Sequence, residues 1–367
     1  MCTATSRSDI LILVNVRWWN ANAFYAVNLA RILHRRGHRV WVGCASGTPA
    51  NTKARQWGLP VVDLDFAARN PLVLIRSFGR LLKFIRHEGI RVINSHRPED
   101  STFGWLARIL TGTRHVVTRG DQRQIGRGWP GRLRYQQADA VVLTCRALRD
   151  RNREVLEPIA DKVSVIHGST DEQRFAPPPA STAVSGKLIV GWVGRLDPVK
   201  DPDTFLRAAA RAAAHCKQIH FVLAGSPANI PMERISHRIR QLNLGGRMTL
   251  LPRVADITVH MAGMDLGVIT STGSEVISRV LLEFLALGKP VMGTRVNAIG
   301  EIIRPGSNGE LFDPEDDRAL ARLLVSWADT PRQRRTYAAG ARQSYLRHYT
   351  EDQVYRQYRQ VLDRVAS

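Results

Sequence analysis

Apolar and polar positions come in blocks along this chain. Ile10-Leu11-Ile12-Leu13-Val14 is an unbroken apolar run, the pattern of a strand covered on both faces of a parallel sheet. A polar turn, Asn15 to Asn22, leads to a helical pattern over 23–36 that closes at Gly37-His38, and Val40-Trp41-Val42 is the next strand. Strand, short crossover and strand begin a doubly wound sheet. The same apolar blocks recur at Val92-Ile93-Asn94, Val116-Val117-Thr118, Ala140 to Thr144 and Val163 to Ile166. Residues 177–186, rich in Pro, Ser and Ala, have no apolar period and read as a linker. Beyond it the blocks resume at Leu188 to Val193, Phe221 to Ser226, Met248 to Val254, Leu266 to Thr270 and Pro290-Val291-Met292, and the tail from Gln333 to Val365 reads as helical.

Length agrees with this division, because 367 residues exceed one ordinary core and suggest roughly two domains. Cys2, Cys44, Cys145 and Cys216 are scattered without CxxC spacing, which suits a reducing compartment and argues against a disulfide framework or a zinc site. The opening MCTATSRSD lacks a basic-then-apolar signal pattern, and no apolar run approaches the roughly 20 residues of a membrane span. A cytoplasmic location is therefore expected. The charge is uneven: residues 1–180 carry 28 Lys and Arg against 14 Asp and Glu, so +14 of the formal +21 lies there. Such an excess suits nucleic acid, anionic lipid or a phosphorylated substrate.

The stretch from Ser271 to Thr294 concentrates the chemistry. A polar turn, Ser271-Thr272-Gly273-Ser274, precedes two carboxylates, Glu275 and Glu283, with seven residues between them. Gly288 closes the apolar run around Glu283 like a helix C-cap, and Pro290 opens a strand. A helix starting near Ser278 offers the backbone N–H groups of Ser278, Arg279 and Val280 as an anion site, with Glu275 in the loop before it. Glu283 lies between Leu282 and Phe284, a buried carboxylate that needs a partner. Ligand hydroxyls are the expected partner, with no basic side chain one turn away to serve it.

Glu275…Glu283 followed by Gly288-Lys289-Pro290-Val291 resembles the signature of retaining glycosyltransferases of the GT-B type, family 4, which includes lipopolysaccharide-core glucosyltransferases and phosphatidylinositol mannosyltransferases. The resemblance implies that Glu275 meets the donor sugar and Glu283 the nucleotide ribose. One departure is visible: Val276-Ile277-Ser278 stands where the family usually has Gly-Phe-Gly. Gly194-Arg195…Lys200 matches the family's Gly-Arg-x4-Lys, which grips the donor diphosphate, and two cations in one βα loop suit that anion. Gly225-Ser226 ends another strand, and Arg253-Val254 ends the one against which the family places the nucleobase. Gly306 to Phe312 resembles an "Asn-Gly-x-Leu" turn of the family.

In the first half, Asn20 and Asn22 follow the first strand and His96 ends another, so all three are expected at a sheet's carboxyl end, where ligands bind. Trp18 and Trp19 fit either loop packing or acceptor contact. Asp100 or Ser101 is expected to cap the helix after His96. Arg119, with Asp121, stands where family members often carry a sugar-contacting His; an arginine binds phosphate or carboxylate but is no base near neutral pH. Residues 121–137, with four Arg, Trp129 and Tyr135, read as a mobile basic loop, either solvated or an acceptor site. The helix over 72–87 puts Arg76, Arg80, Lys83 and His87 on one face, either an ordinary surface helix or one that meets an anionic membrane, the latter if Phe78 or Phe84 projects outward.

The expected fold is therefore α/β, of GT-B type, with two Rossmann-like doubly wound domains facing across a cleft. Residues 1–175 would form the acceptor domain, 176–186 the linker and 187–345 the donor domain, with the C-terminal helix, 346–367, crossing back onto the first domain as in the family. The expected activity is retaining transfer of a sugar from a nucleotide-diphosphate donor to a glycan or lipid-linked glycan in lipopolysaccharide or exopolysaccharide assembly. The enzyme would be of hexosyltransferase type and work on the inner face of the cytoplasmic membrane. No cofactor and no metal is expected, since the Asp-x-Asp pair weighed as an ion site, Asp63-Leu64-Asp65, matches no family role. A nucleotide-sugar epimerase on the same fold and a non-enzymatic basic nucleic-acid binder are the alternatives, and no nucleic-acid-reading motif supports the second.

Overall fold

A computed structural model of the chain describes residues 8–126, 128–177, 187–254 and 256–366. Most of the expected linker and Cys2 lie outside these residues. The chain forms two compact units, Met1–Gly168 with Val354–Ser367, and Ser169–Gln353.

The first unit holds an all-parallel sheet of β1 (Asp9–Leu13), β2 (Arg39–Cys44), β3 (Val61–Asp63), β4 (Val92–Ser95), β5 (Arg114–Arg119), β6 (Ala140–Leu143) and β7 (Val163–Val165). Its order is β3-β2-β1-β4-β5-β6-β7. Strand order reverses between β1 and β4, which defines the switch point where doubly wound sheets bind ligands. β3 was not legible as a strand, being three residues at the sheet edge. Ile10 to Leu13 are fully buried, as an unbroken apolar run demands. Asn20 caps the helix Ala21–Arg35 by accepting from Ala23 N at 2.9 Å. The helix after β4 begins at Pro98, so Asp100 and Ser101 lie in its first turn and neither is its cap. Asp100 turns inward instead, accepting from Asn15 N at 3.1 Å and Asn15 Nδ2 at 2.6 Å.

The tail forms two helices, Pro331–His348 and Glu351–Ala366, where one helical stretch was expected. Residues from Val354 onward belong to the first unit. Within it, Tyr358 is fully buried and its hydroxyl accepts from Asn94 Nδ2 on β4 at 2.6 Å. Arg364 donates to Asp161 O and Ser164 Oγ beside β7.

The second unit holds β8 (Leu188–Leu196), β9 (Ile219–Pro227), β10 (Met248–Leu251), β11 (Leu266–Ile269), β12 (Val291–Thr294) and β13 (Gly309–Phe312), in the order β10-β9-β8-β11-β12-β13, all parallel. β13 occupies part of the stretch read as a turn. The switch point here lies between β8 and β11. Close helix packing fixes those two strands. A Cβ on Gly267 of β11 would sit 2.4 Å from the Phe284 ring, and one on Gly191 of β8 would collide with Met264.

Candidate active site

The topology puts the segments after β8 and β11 side by side, since those strands are neighbours. β8 runs on to Leu196, so Gly194 and Arg195 lie on the strand itself, paired in register with Gly225 and Ser226 of β9. Beyond β8 a single helical turn, Pro198–Lys200, is capped by Asp197, and Asp201, in the left-handed region at φ 45°, starts the helix Pro202–His215. Thr270, just past β11, ties the two segments together. Its hydroxyl accepts from Trp192 Nε1 at 3.0 Å and lies 2.9 and 2.7 Å from the carbonyls of Lys200 and Asp201. Thr272 N donates to Val199 O at 3.0 Å.

Lys200 and Glu275 meet across this junction in an ion pair between Lys200 Nζ and Glu275 Oε1. Ser271 Oγ donates to the same carboxylate oxygen at 2.7 Å. Glu275 is 3% exposed, and its own carbonyl accepts from Ala298 N at 2.9 Å. The loop turns at Ser274, which takes φ 62°, a conformation uncommon outside glycine. Ser278 has φ −93°, open to any residue, so the conformation at that position does not call for the family's glycine. Arg195 is exposed and stands 3.5 Å from Asp197.

The helix Arg279–Ala286 starts one residue after buried Ser278 and carries Glu283 on its inner face, 4% exposed. The sequence reading denied Glu283 a basic neighbour, and that is corrected here. Arg279 is one turn earlier and its Nε lies 3.0 Å from Glu283 Oε1. Burial pushes the Glu283 carboxyl up, while the positive charges of Arg279 and Arg174 pull it back. Val280 is half-buried on the same helix, and Arg253 and Val254 follow β10 on the other side of β8 and β9.

The candidate residues of the first unit divide differently. Asn22 donates from Nδ2 to His96 O at 3.0 Å, which joins the ends of β1 and β4 at the switch point. His96 is fully buried, tilted against the Tyr25 ring, and burial lowers its pKa to about 3, so its imidazole is neutral. Neither of its ring nitrogens has a protein partner, nor does Asn22 Oδ1. Arg119 ends β5 and is buried. It is 4% exposed and works as a clamp, donating to Tyr135 Oη at 3.1 Å, to Asp121 Oδ1 at 3.0 Å and to Arg123 O. Part of the loop read as mobile is the helix Trp129–Gln136, with Trp129 exposed. Phe78 and Phe84 pack on the core of the first unit, and the residues that project from the helix Pro71–Glu88 are Leu72 and Ile75.

Among the described residues no cluster of His, Cys, Asp and Glu is arranged to hold a metal. Asp63 accepts from Ser46 N and faces Arg80, and Asp65 accepts from Ala67 N, so the Asp-x-Asp pair serves local structure. Four residues were missed by the sequence reading: Thr270, Ser271, Trp192 and Arg174. Thr270 and Ser271 adjoin the motif, and their polar side chains at the end of a buried strand were the available signal.

Residues 187–329 match the family model described as glycosyl transferases group 1, and residues 23–168 match the glycosyl transferase 4-like domain. The D-inositol 3-phosphate glycosyltransferase of Rhodococcus opacus is 26% identical over 316 residues, covering 77% of this chain and 70% of that protein. Among solved structures, Anabaena HepE in complex with UDP and glucose has a TM-score of 0.81 at 20% identity, covering 97% of this chain and 100% of that one. A glycosyltransferase from Rickettsia africae has a TM-score of 0.87 at 16% identity, covering 99% of each chain. At these identities the two structures speak for the fold. Two family models that follow one another along the chain, on two doubly wound units, make this protein a glycosyltransferase of the GT-B type and a member of family 4.

Proposed function

We propose that the chain is a retaining hexosyltransferase that moves a sugar from a nucleotide-diphosphate donor onto a glycan or lipid-linked glycan of the cell envelope. The observation that carries the donor half is the Lys200–Glu275 contact at the β8/β11 switch point. It sets a cation from one loop against a carboxylate from the next, beside the first turn of the helix Arg279–Ala286. A diphosphate arriving there exchanges Glu275 for phosphate oxygens on Lys200 and adds Arg195, exposed and 3.5 Å from Asp197. The first-turn N–H groups of Ser278, Arg279 and Val280 complete the anion cradle. Glu275, released from Lys200, orients donor hydroxyls, and Glu283 takes the ribose. As the glycosidic bond breaks, negative charge grows on the departing diphosphate, and Lys200 and Arg195 stabilise it there.

The acceptor half rests on charge. The helix Pro71–Glu88 exposes Arg76, Arg80 and Lys83 together with Leu72 and Ile75, a combination suited to the surface of an anionic membrane. No helix among the described residues is long and apolar enough to cross one. This supports peripheral attachment and a lipid-linked acceptor, as in lipopolysaccharide or exopolysaccharide assembly. A second reading, a small phosphorylated polyol as acceptor, is favoured by the name of the Rhodococcus opacus relative.

The test is nucleotide release from a panel of nucleotide sugars, with and without lipid extract or inositol phosphates. Sugar transfer is expected only with an acceptor present. Free epimer without one points to the epimerase. Lys200→Ala should weaken nucleotide binding by roughly 1.5–3 kcal/mol, the worth of a charge-assisted hydrogen bond. Unchanged affinity and turnover in that variant would remove the diphosphate role.

A further inference from the structure

The helices Pro202–His215 and Met232–Gln241 follow β8 and β9, and at both crossovers the chain steps outward through the sheet in the same direction. Right-handed crossovers therefore lay both helices on one face of the second unit's sheet. Between them lies a cavity of about 410 Å³, within the size range of small-molecule sites. Two kinds of side chain line it. Pro202, Leu206 and Ile235 are buried and Ile230 is half-buried, so one wall is apolar. Arg234, His237 and Arg238 make the other, with Asp203 and Gln241. None of Arg195, Lys200, Glu275 and Glu283 lines it.

The charges do not balance within this cavity. Both oxygens of Asp203 are taken: Oδ1 accepts from Arg238 Nε at 2.7 Å, and Oδ2 pairs with Arg207, which stands outside the lining. Gln241 Oε1 lies 3.5 Å from Arg238 Nη1. The Arg238 guanidinium is thus held at two of its nitrogens, and Nη2 has no protein partner among the described residues. Arg234, one turn earlier on the same helix, is exposed and makes no ion pair or hydrogen bond among those residues. Glu233, the one acid of that helix, does not line the cavity. Two guanidiniums at i and i+4, one of them already oriented, suit the oxygens of a phosphate or carboxylate. An inorganic ion alone would leave the apolar wall in water. We propose that this cavity binds a small organic anion, a phosphate or carboxylate carried on an apolar body. Arg234 and Arg238 take the oxyanion, and Leu206, Ile230 and Ile235 cover the body. The site is separate from the donor loops and does not rest on the donor reading above.

The test is ligand-observed NMR titration of the full chain with phenyl phosphate, inorganic phosphate and benzyl alcohol. Phenyl phosphate carries both the anion and the ring, and each of the others lacks one. It should bind at least roughly tenfold more tightly than either, since a charge-assisted hydrogen bond or a buried ring is each worth that much. Arg234→Ala removes no contact within the protein, so it should fold as wild type and lose roughly tenfold in phenyl phosphate affinity. Arg234→Lys, which keeps the charge without the fork, should lose less. Ile230→Ser should weaken phenyl phosphate and leave inorganic phosphate as it was. Lys200→Ala should bind phenyl phosphate as wild type does. Three results overturn the proposal: no binding of phenyl phosphate, inorganic phosphate bound as tightly as phenyl phosphate, or unchanged affinity in Arg234→Ala. Binding lost in Lys200→Ala overturns it as well, because the anion would then sit in the donor loops.

Discussion

The two sheets share a topology and differ in what they place at their switch points. Beside β8 and β11 charge meets charge: Lys200 with Glu275, Arg279 with Glu283, Arg195 near Asp197. Beside β1 and β4 the buried polar groups are His96, Asn22 and Asp100, and the ion pair there, Arg97 with Glu99, is only partly buried. His96 and Asn22 Oδ1 face no protein partner, and Asp100 is held by two donors from Asn15. An ion pair between a lysine and a carboxylate is an exchangeable arrangement, since an incoming phosphate can take the cation and leave the acid for a sugar hydroxyl. Neutral buried dipoles hold out for a shaped partner and gain little from charge. On the proposed function, the second unit would take the anion common to nucleotide donors and the first the acceptor.

The comparison can be broken most sharply at Arg119. If it is a clamp within the first unit, Arg119→Ala removes its bonds to Tyr135, Asp121 and Arg123 O, leaves Asp121 only the exposed Arg123 at 3.6 Å, and should cost roughly 3 kcal/mol, read as a lower urea midpoint. A variant that folds as well as wild type but loses turnover would return Arg119 to the substrate.

Asp100 tests the neutral character of the same region. Burial pushes its carboxyl up to about 7 against the pull of Asn15 and Arg97. A raised folded-state value means the folded protein holds a proton that the unfolded chain has released. The contribution of Asp100 to stability should therefore fall by on the order of a few kcal/mol as pH rises from about 4 to about 7, while the buried neutral imidazoles of His96 and His115 act in the opposite direction. The stability of wild type relative to Asp100→Asn should accordingly be greater at the acid end than at the neutral end, and unfolding of both proteins measured at each end checks it.

On the charged side, a double-mutant cycle of Lys200→Ala and Glu275→Gln separates exchange from fixed structure. Lys200→Ala alone should cost about 2 kcal/mol of nucleotide affinity. Adding Glu275→Gln should cost little more for nucleotide alone and markedly more for nucleotide sugar. Equal losses for both ligands would mean that Glu275 serves only the lysine.

The smallest expected effect is at Tyr358→Phe, which leaves Asn94 without its 2.6 Å hydrogen bond and should lower stability by about 1 kcal/mol. No loss at all would argue that the final helix adds apolar packing alone to the first unit.

Much of this was open to reading from the chain. Unbroken apolar runs such as Ile10–Leu13 mark parallel strands because both faces are covered, and glycines with positive φ, such as Gly288, mark helix ends. Short edges escaped: three residues of β3 carry no period, and Gly309 after Asn308 resembles a turn although a strand starts there. Arg279 was in plain view four residues before Glu283 but was passed over for the leucines around it. Contacts between distant residues were harder. Lys200 and Glu275 are 75 positions apart and became legible only through a family motif. The contacts of Arg119 with Tyr135 and of Arg174 with Asp256 join residues that no single motif holds together, and local pattern has no means of pairing them.

The return of the last helix to the first unit has a consequence for biogenesis. Tyr358 and Val361 are fully buried there, so the sheet that begins with Asp9 lacks part of its cover until the ribosome has translated the whole of the second unit. An N-terminal fragment ending at Gly168 would expose the seat of that helix. Premature termination late in the message should therefore yield a chain whose second unit is folded and whose first is a target for proteolysis.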